Sequence, residues 1–149
     1  MIKRLLSYFL PIKVYETPSK TSTNLEVTWN NGYLVLDSKN TNYSFGSLQR
    51  ALKKGLKYIG YERIRNFESI LILGVAGGSV IETLKKEVKF DGKITGVEID
   101  ATVVDIANKY FGLSKYDNLE IVIDDAFEFV LKTKDTYDLI IIDIFQDTI

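Results

Sequence analysis

Small residues and then carboxylates recur at fixed places in the second half of this chain. Gly74-Val75-Ala76-Gly77-Gly78 follows an apolar run and precedes a helical pattern. Small residues there let a backbone approach a ligand, while the N–H groups of the following helix point at it. Glu98-Ile99-Asp100 closes a second apolar run, Asp124-Asp125-Ala126 a third, and Asp143 a fourth, with Gln146 and Asp147 just beyond. Glu98 stands roughly 20 residues past the glycine loop, where a carboxylate accepts from both hydroxyls of a ribose. Losing it should weaken a nucleoside ligand and leave the melting temperature nearly unmoved. One of Asp124 and Asp125 is expected to cap the next helix. The other, for which Asp125 is preferred, can accept from an exocyclic amine such as that of adenine, and Ala126 can offer its N–H to the ring. Asp100 reads either as a ligand contact or as a helix cap. Asp143 falls where the reactive end of such a ligand would project.

Two absences narrow the chemistry. The 149 residues contain no Cys and no His. Disulfides, thiol nucleophiles, thiolate metal sites and every His-dependent triad are therefore excluded, and no metal site is expected. Carboxylates, Lys, Tyr, hydroxyls, backbone dipoles or a bound cofactor must carry any reaction. With 19 basic and 20 acidic residues, the net charge of −1 gives no general field for nucleic acid, which is not expected as a partner. The apolar run at 5–12, behind Lys3 and Arg4, is too short for a membrane span and has no small-residue cleavage site. It reads as a docked N-terminal segment of a cytoplasmic protein with no membrane partner.

The elements that must position these residues follow from periodicity. Residues 25–29 and 33–36 flank Asn30-Asn31-Gly32 and predict a β-hairpin, since Asn and Gly tolerate the positive φ of such turns. Leu48, Leu52, Leu56 and Ile59 predict a helix over 47–59 that Gly60 stops, and 61–68 reads as a charged connector. From Ser69 onward, apolar runs at 70–73, 94–97, 119–123 and 139–142 alternate with helical patterns at 80–88, 102–111 and from 126. Phe127 and Phe129 read as core. Runs apolar on both faces, separated by amphipathic helices, predict an α/β fold with a doubly wound, Rossmann-like parallel sheet. Ligands of such sheets bind beyond the carboxyl ends of the strands, where the glycines and acids stand. The expected division is an N-terminal segment and hairpin over 1–46, then a nucleoside-binding domain over 47–149.

The G-x-x-G-G turn, V-E-I-D, I-D-D-A-F-E-F and Y-D-L-I-I-I-D, taken together over about 69–145, resemble the class I S-adenosylmethionine-dependent methyltransferase fold. More narrowly, they resemble the spermidine synthase (aminopropyltransferase) family. The resemblance implies strand order 3-2-1-4 with further C-terminal strands missing from this chain, and a small β region ahead of the sheet. It implies S-adenosylmethionine or its decarboxylated form as cofactor. Gly74, Ala76, Gly77 and Gly78 would hold its methionine-like portion, Glu98 and Ile99 the ribose side, and Asp125 and Ala126 the adenine. Asp143 and Asp147 would serve catalysis.

The family pattern also shows where this chain departs. Gly77 stands in place of an Asp that holds the amine substrate, Gln146 in place of the base, and Phe45 in place of a Tyr. A cationic polyamine needs several carboxylates, and an amine must lose a proton to attack. The expected function is thus a spermidine synthase-like or S-adenosylmethionine-dependent transferase of unknown acceptor, with polyamine synthesis in doubt. The alternative is a nucleoside-binding module that has lost aminopropyl transfer. A nicotinamide-dependent dehydrogenase is weakened by the missing G-x-G-x-x-G. The run at 139–142 would form a hydrophobic sheet edge, expected to be covered by the remainder of a longer protein or in a homodimer.

Overall fold

A computed structural model describes residues 2–38 and 47–144. The chain opens with a short helix, α1 (Ile2–Leu6), and an antiparallel three-stranded sheet, β1 (Ile12–Thr17), β2 (Leu25–Asn30) and β3 (Tyr33–Ser38), in that order. The predicted hairpin is β2–β3, turning through Asn31 at φ 48° and Gly32 at φ 79°. Strand β1 was not legible, because its pairing with β2 breaks register between Lys13 and Tyr15 and blurs the period-two pattern.

Helix α2 (Ser47–Ile59) has the bounds its spacing predicts. The supposed connector instead begins with a helix, α3 (Tyr61–Arg65). Ile64 is its one buried side chain, too few apolar residues for periodicity to register. The second sheet is parallel, ordered β6 (Leu119–Ile123), β5 (Lys93–Glu98), β4 (Ser69–Leu73), β7 (Leu139–Ile142). That is the expected 3-2-1-4. The crossovers are α4 (Ser79–Thr83), α5 (Ala101–Ile106) and α6 (Ala126–Lys132). Both α4 and α5 run on as π-helical turns, at Leu84–Val88 and Ala107–Phe111, which close on left-handed Lys89 and Gly112.

Ile70, Ile72, Ile94 and Ile141 face the larger core with Leu56, Ile64, Val80, Ile81, Leu84 and Val88 from the helices. Leu71, Leu73 and Val97 face the other way, against Ala126, Phe129 and Tyr137. Phe129 is partly buried against that cluster, whereas Phe127, also expected in the core, is exposed. The start of β7 is pinned to β4 by Asp138, whose Oδ2 accepts from Glu68 N at 2.8 Å and Ser69 N at 3.1 Å. Burial on both faces fails for β7: Leu139 and Ile141 pack inward, but Ile140 and Ile142 are exposed. Among the described residues β7 is an edge strand. No helix among them is long and apolar enough to cross a membrane.

The N-terminal sheet packs against α5 in a cluster separate from those on the parallel sheet. Leu25, Val27 and Leu36 pack on Val103 and Ile106 of α5. Lys109 lies 5.2 Å from each ring of Tyr15 and Tyr110, which are themselves 5.4 Å apart.

Candidate functional site

Register brings the strand ends into one row. Leu73 pairs with Val97 on one side and Ile142 on the other, and Glu98 pairs with Ile123. The next backbone bonds continue this row: Gly74 N donates to Val97 O at 2.9 Å, Asp124 N to Glu98 O at 3.1 Å, and Asp143 N to Leu73 O at 2.8 Å. Gly74 therefore sits between Glu98 and Asp143. Its φ is +89°, and a Cβ there would stand 2.2 Å from the Asp143 carbonyl oxygen, so glycine is required by conformation and by space.

Glu98 is buried, with 8% exposure. Its Oε2 accepts from Val75 N and Ala76 N, both at 3.0 Å, and its Oε1 accepts from Asp100 N at 3.2 Å. The carboxylate thus organises the glycine loop that precedes α4. Since it offers about four lone-pair sites, three are occupied by the chain itself. This corrects the expectation that Glu98 could be removed at little cost in stability. Ala76 adopts φ 48°, a left-handed conformation unfavourable for a side chain, and its N–H is one of the two that hold Glu98. Gly78, at φ +81°, opens α4 and closes a turn by donating to Val75 O at 2.9 Å. A Cβ on Gly78 would meet Leu113 Cδ1 at 2.8 Å. Gly77 and Gly78 also border a cleft of about 560 Å³ between the hairpin and α4.

Asp143 is half-buried. Burial, then the negative charge of Glu98, pushes its pKa above the usual carboxylate range. The two acids thus stand at the ends of neighbouring strands on either side of β4 and feel one another's charge.

Asp125 is the N-cap of α6, its Oδ1 accepting from Phe127 N at 2.8 Å and Glu128 N at 3.1 Å. Asp124 is not the cap; its Oδ1 accepts from Asp125 N at 2.9 Å. Capping uses one oxygen of Asp125. Ala126 is the first helical residue and packs against Leu71, Leu73 and Val97. Ile99 lies exposed at the tip of β5.

Asp100 takes the capping role of the two weighed for it: its Oδ1 accepts from Thr102 N at 3.0 Å at the start of α5. Its Oδ2 also accepts from Thr21 N at 3.1 Å and Thr21 Oγ1 at 2.7 Å. Burial alone would raise its pKa, but hydrogen bonds from Ser19, Thr21 and Thr102 hold it below the ordinary value. The link to Thr21 spans 79 residues and has no sequence signal. Phe45, Gln146 and Asp147 lie outside the described residues. Among the described residues no cluster of three or more acids could hold a metal ion.

Comparison with known proteins gives these features a context. The spermine/spermidine synthase domain profile matches residues 49–148. A polyamine aminopropyltransferase of Sulfurisphaera tokodaii is 36% identical over 86 residues, which cover 54% of this chain and 28% of that protein. The fold matches spermidine synthase of Thermotoga maritima with a TM-score of 0.63 at 23% identity, over 92% of this chain and 48% of that one. It also matches human methyltransferase-like protein 13 in complex with SAH, with a TM-score of 0.58 at 23% identity, over 69% of this chain and 50% of that one. The matched portion thus spans less than a third of the aminopropyltransferase and about half of each solved chain.

Proposed function

The chain belongs to the spermine/spermidine synthase domain family, and from that premise we propose that it binds an S-adenosylmethionine-type cofactor and serves a transferase whose acceptor is not a polyamine. The observation that carries this reading is the row formed by Gly74, buried Glu98 and Asp143 at the carboxyl ends of adjacent parallel strands. The bound cofactor supplies a sulfonium carbon that is already electrophilic. The chain's part is to hold it and align the acceptor.

In this reading the remaining lone pair of Glu98 accepts from a ribose hydroxyl. The second oxygen of Asp125 accepts from the adenine amine, Ala126 N–H meets the ring, and Ile99 packs on it. Gly74, Ala76, Gly77 and Gly78 give the methionine-like portion room. Asp143 faces the sulfonium and, with its raised pKa, is suited to take the acceptor's proton; Asp147 would assist. The neighbour solved in complex with SAH supports the adenosyl class, and either S-adenosylmethionine or its decarboxylated form satisfies the same groups. A cytoplasmic setting belongs to the same proposal.

Gly77 argues against a polyamine acceptor, because the family resemblance implies a carboxylate there and this chain offers a hydrogen. The same residue favours a second reading, a nucleoside-binding module without transfer activity. Calorimetry with S-adenosylmethionine, its decarboxylated form, methylthioadenosine and NAD tests the binding. Adenosyl ligands should bind and NAD should not; failure of all the adenosyl ligands overturns both readings. Decarboxylated cofactor with putrescine should release negligible methylthioadenosine. Turnover near ~10 per second, lost in Asp147→Asn, would restore the polyamine acceptor.

A further inference from the structure

Ile2, Leu5, Leu6 and Phe9 fall at the spacing of one helical face, which ordinarily turns toward a core. Here the orientation is reversed. Ser7, with 2% exposure, is the residue that docks: its Oγ accepts from Gly32 N at 3.0 Å, and its carbonyl accepts from Asn31 N at 2.9 Å. The Tyr8 ring lies over the same turn, where a Cβ on Gly32 would come within 2.3 Å of the phenol oxygen. With the hairpin tip held by these two residues, the apolar side chains point outward. Phe9 is 85% exposed and Ile2 73%, and Leu5, Leu6 and Leu10 are exposed with them.

Charge distinguishes the possible occupants. No acid precedes Glu16, whereas Lys3, Arg4 and Lys13 do. Lys13 is paired with Glu16 and Glu26, which leaves Lys3 and Arg4, both exposed; Arg4 also borders the cleft that Glu82 and Glu87 line. A second copy docked about a two-fold axis would bring these like charges together. An anionic lipid surface attracts them and receives convex apolar side chains without needing a matching groove.

We propose that residues 2–10 form an interfacial anchor that seats the chain on an anionic lipid surface. This departs from the expectation of no membrane partner, which rested on the absence of a span. The outward orientation depends on Ser7 meeting a turn 25 residues away and is not visible in the sequence. The anchor does not rest on the adenosyl site.

The test is co-sedimentation of the 149-residue chain with phosphatidylcholine vesicles, with and without phosphatidylglycerol. Binding should require the anionic lipid and weaken as salt rises. Lys3→Gln and Arg4→Gln should each cost roughly fivefold in affinity, and Leu5→Ser with Phe9→Ser should abolish binding. The circular dichroism of each variant should match that of the parent chain. Ile142→Ser, on the other exposed apolar face, should leave binding unchanged. Equal binding to neutral vesicles, no binding, or loss only in Ile142→Ser would overturn the proposal. So would a lipid-free dimer dissolved by Phe9→Ser, which would assign the stripe to a second copy.

Discussion

Glu98 is a structural carboxylate, and its substitution should separate that role from the proposed ribose contact. Glu98→Gln keeps the volume but places an N–H₂ where backbone donors now converge. Each lost charge-assisted bond is worth ~1.5–3 kcal/mol, so thermal unfolding should register a clear loss. Affinity for adenosyl ligands, measured by calorimetry below the variant's transition, should also fall more than tenfold. Lost stability with an unchanged dissociation constant would confine Glu98 to organising the loop. Asp125 permits a cleaner separation, because Asn caps helices about as well as Asp. Asp125→Asn should leave stability within a few tenths of a kcal/mol while weakening adenosyl ligands more than inosyl analogues. The amide can turn its N–H toward a ring carbonyl that a carboxylate repels. Equal losses for the two ligands would leave Asp125 as a cap alone. Asp143, raised by burial and by Glu98, predicts a linkage. Binding of a sulfonium ligand should weaken as pH falls through that raised pKa, because the protonated acid offers no charge. A neutral thioether should show no such dependence.

At the level of elements, the strands of the parallel sheet and the helix over 47–59 were legible because each carries its own periodicity. The four runs end where the chain turns polar, and β6 and β7 have the bounds their sequences suggest. What escaped was set by contacts between elements. Strand β1 has a shifted register, α3 buries one residue, and the outward face of α1 is decided by the hairpin beneath it. The candidate site divides in the same way. The residue types and their strand-end positions were readable, whereas the contact from Glu98 to Val75 and Ala76 required the loop's path. The helix ends at Val88 and Phe111 match the predicted patterns, whereas the π-helical form of their last turns leaves no composition signal. Lys89 closes one of them at φ 64°, where a side chain is strained and glycine is not. Lys89→Gly should therefore raise stability by ~0.5–1 kcal/mol, read as a higher denaturant midpoint with an unchanged slope. An unchanged or lowered midpoint would mean that Lys89's own contacts outweigh the backbone cost.

For the whole molecule, the telling contact is the one between Asp100 and Thr21, which joins the N-terminal sheet to the site edge of the parallel sheet. The packing of Leu25, Val27 and Leu36 on α5 brings the two sheets together without direction. The hydrogen bonds to Asp100 fix the 19–22 turn beside the end of β5, next to Glu98. Because those bonds hold the Asp100 pKa below its unfolded value, the stability they contribute is present above the unfolded pKa of ~3.9. It is lost as pH falls through the lower folded value. Asp143 has the opposite sign: its raised pKa makes its contribution largest below the unfolded value and loses it as pH climbs through the folded one. Asp100 should therefore contribute to acid unfolding, and Asp143, like Asp37, should oppose it. Asp100→Asn retains the cap on Thr102 but turns an N–H₂ toward Thr21, so it should cost about 1–3 kcal/mol at neutral pH and flatten the acid limb of the stability profile. Asp143→Asn should instead raise the neutral melting temperature and leave the acid limit nearly unchanged. Hydrogen exchange gives the spatial readout: Asp100→Asn should speed exchange at Thr21 N–H well before the β4–β5 ladder opens. If Thr21 and that ladder lose protection together, the two sheets unfold as one unit, and the bond is not what holds the N-terminal turn in place.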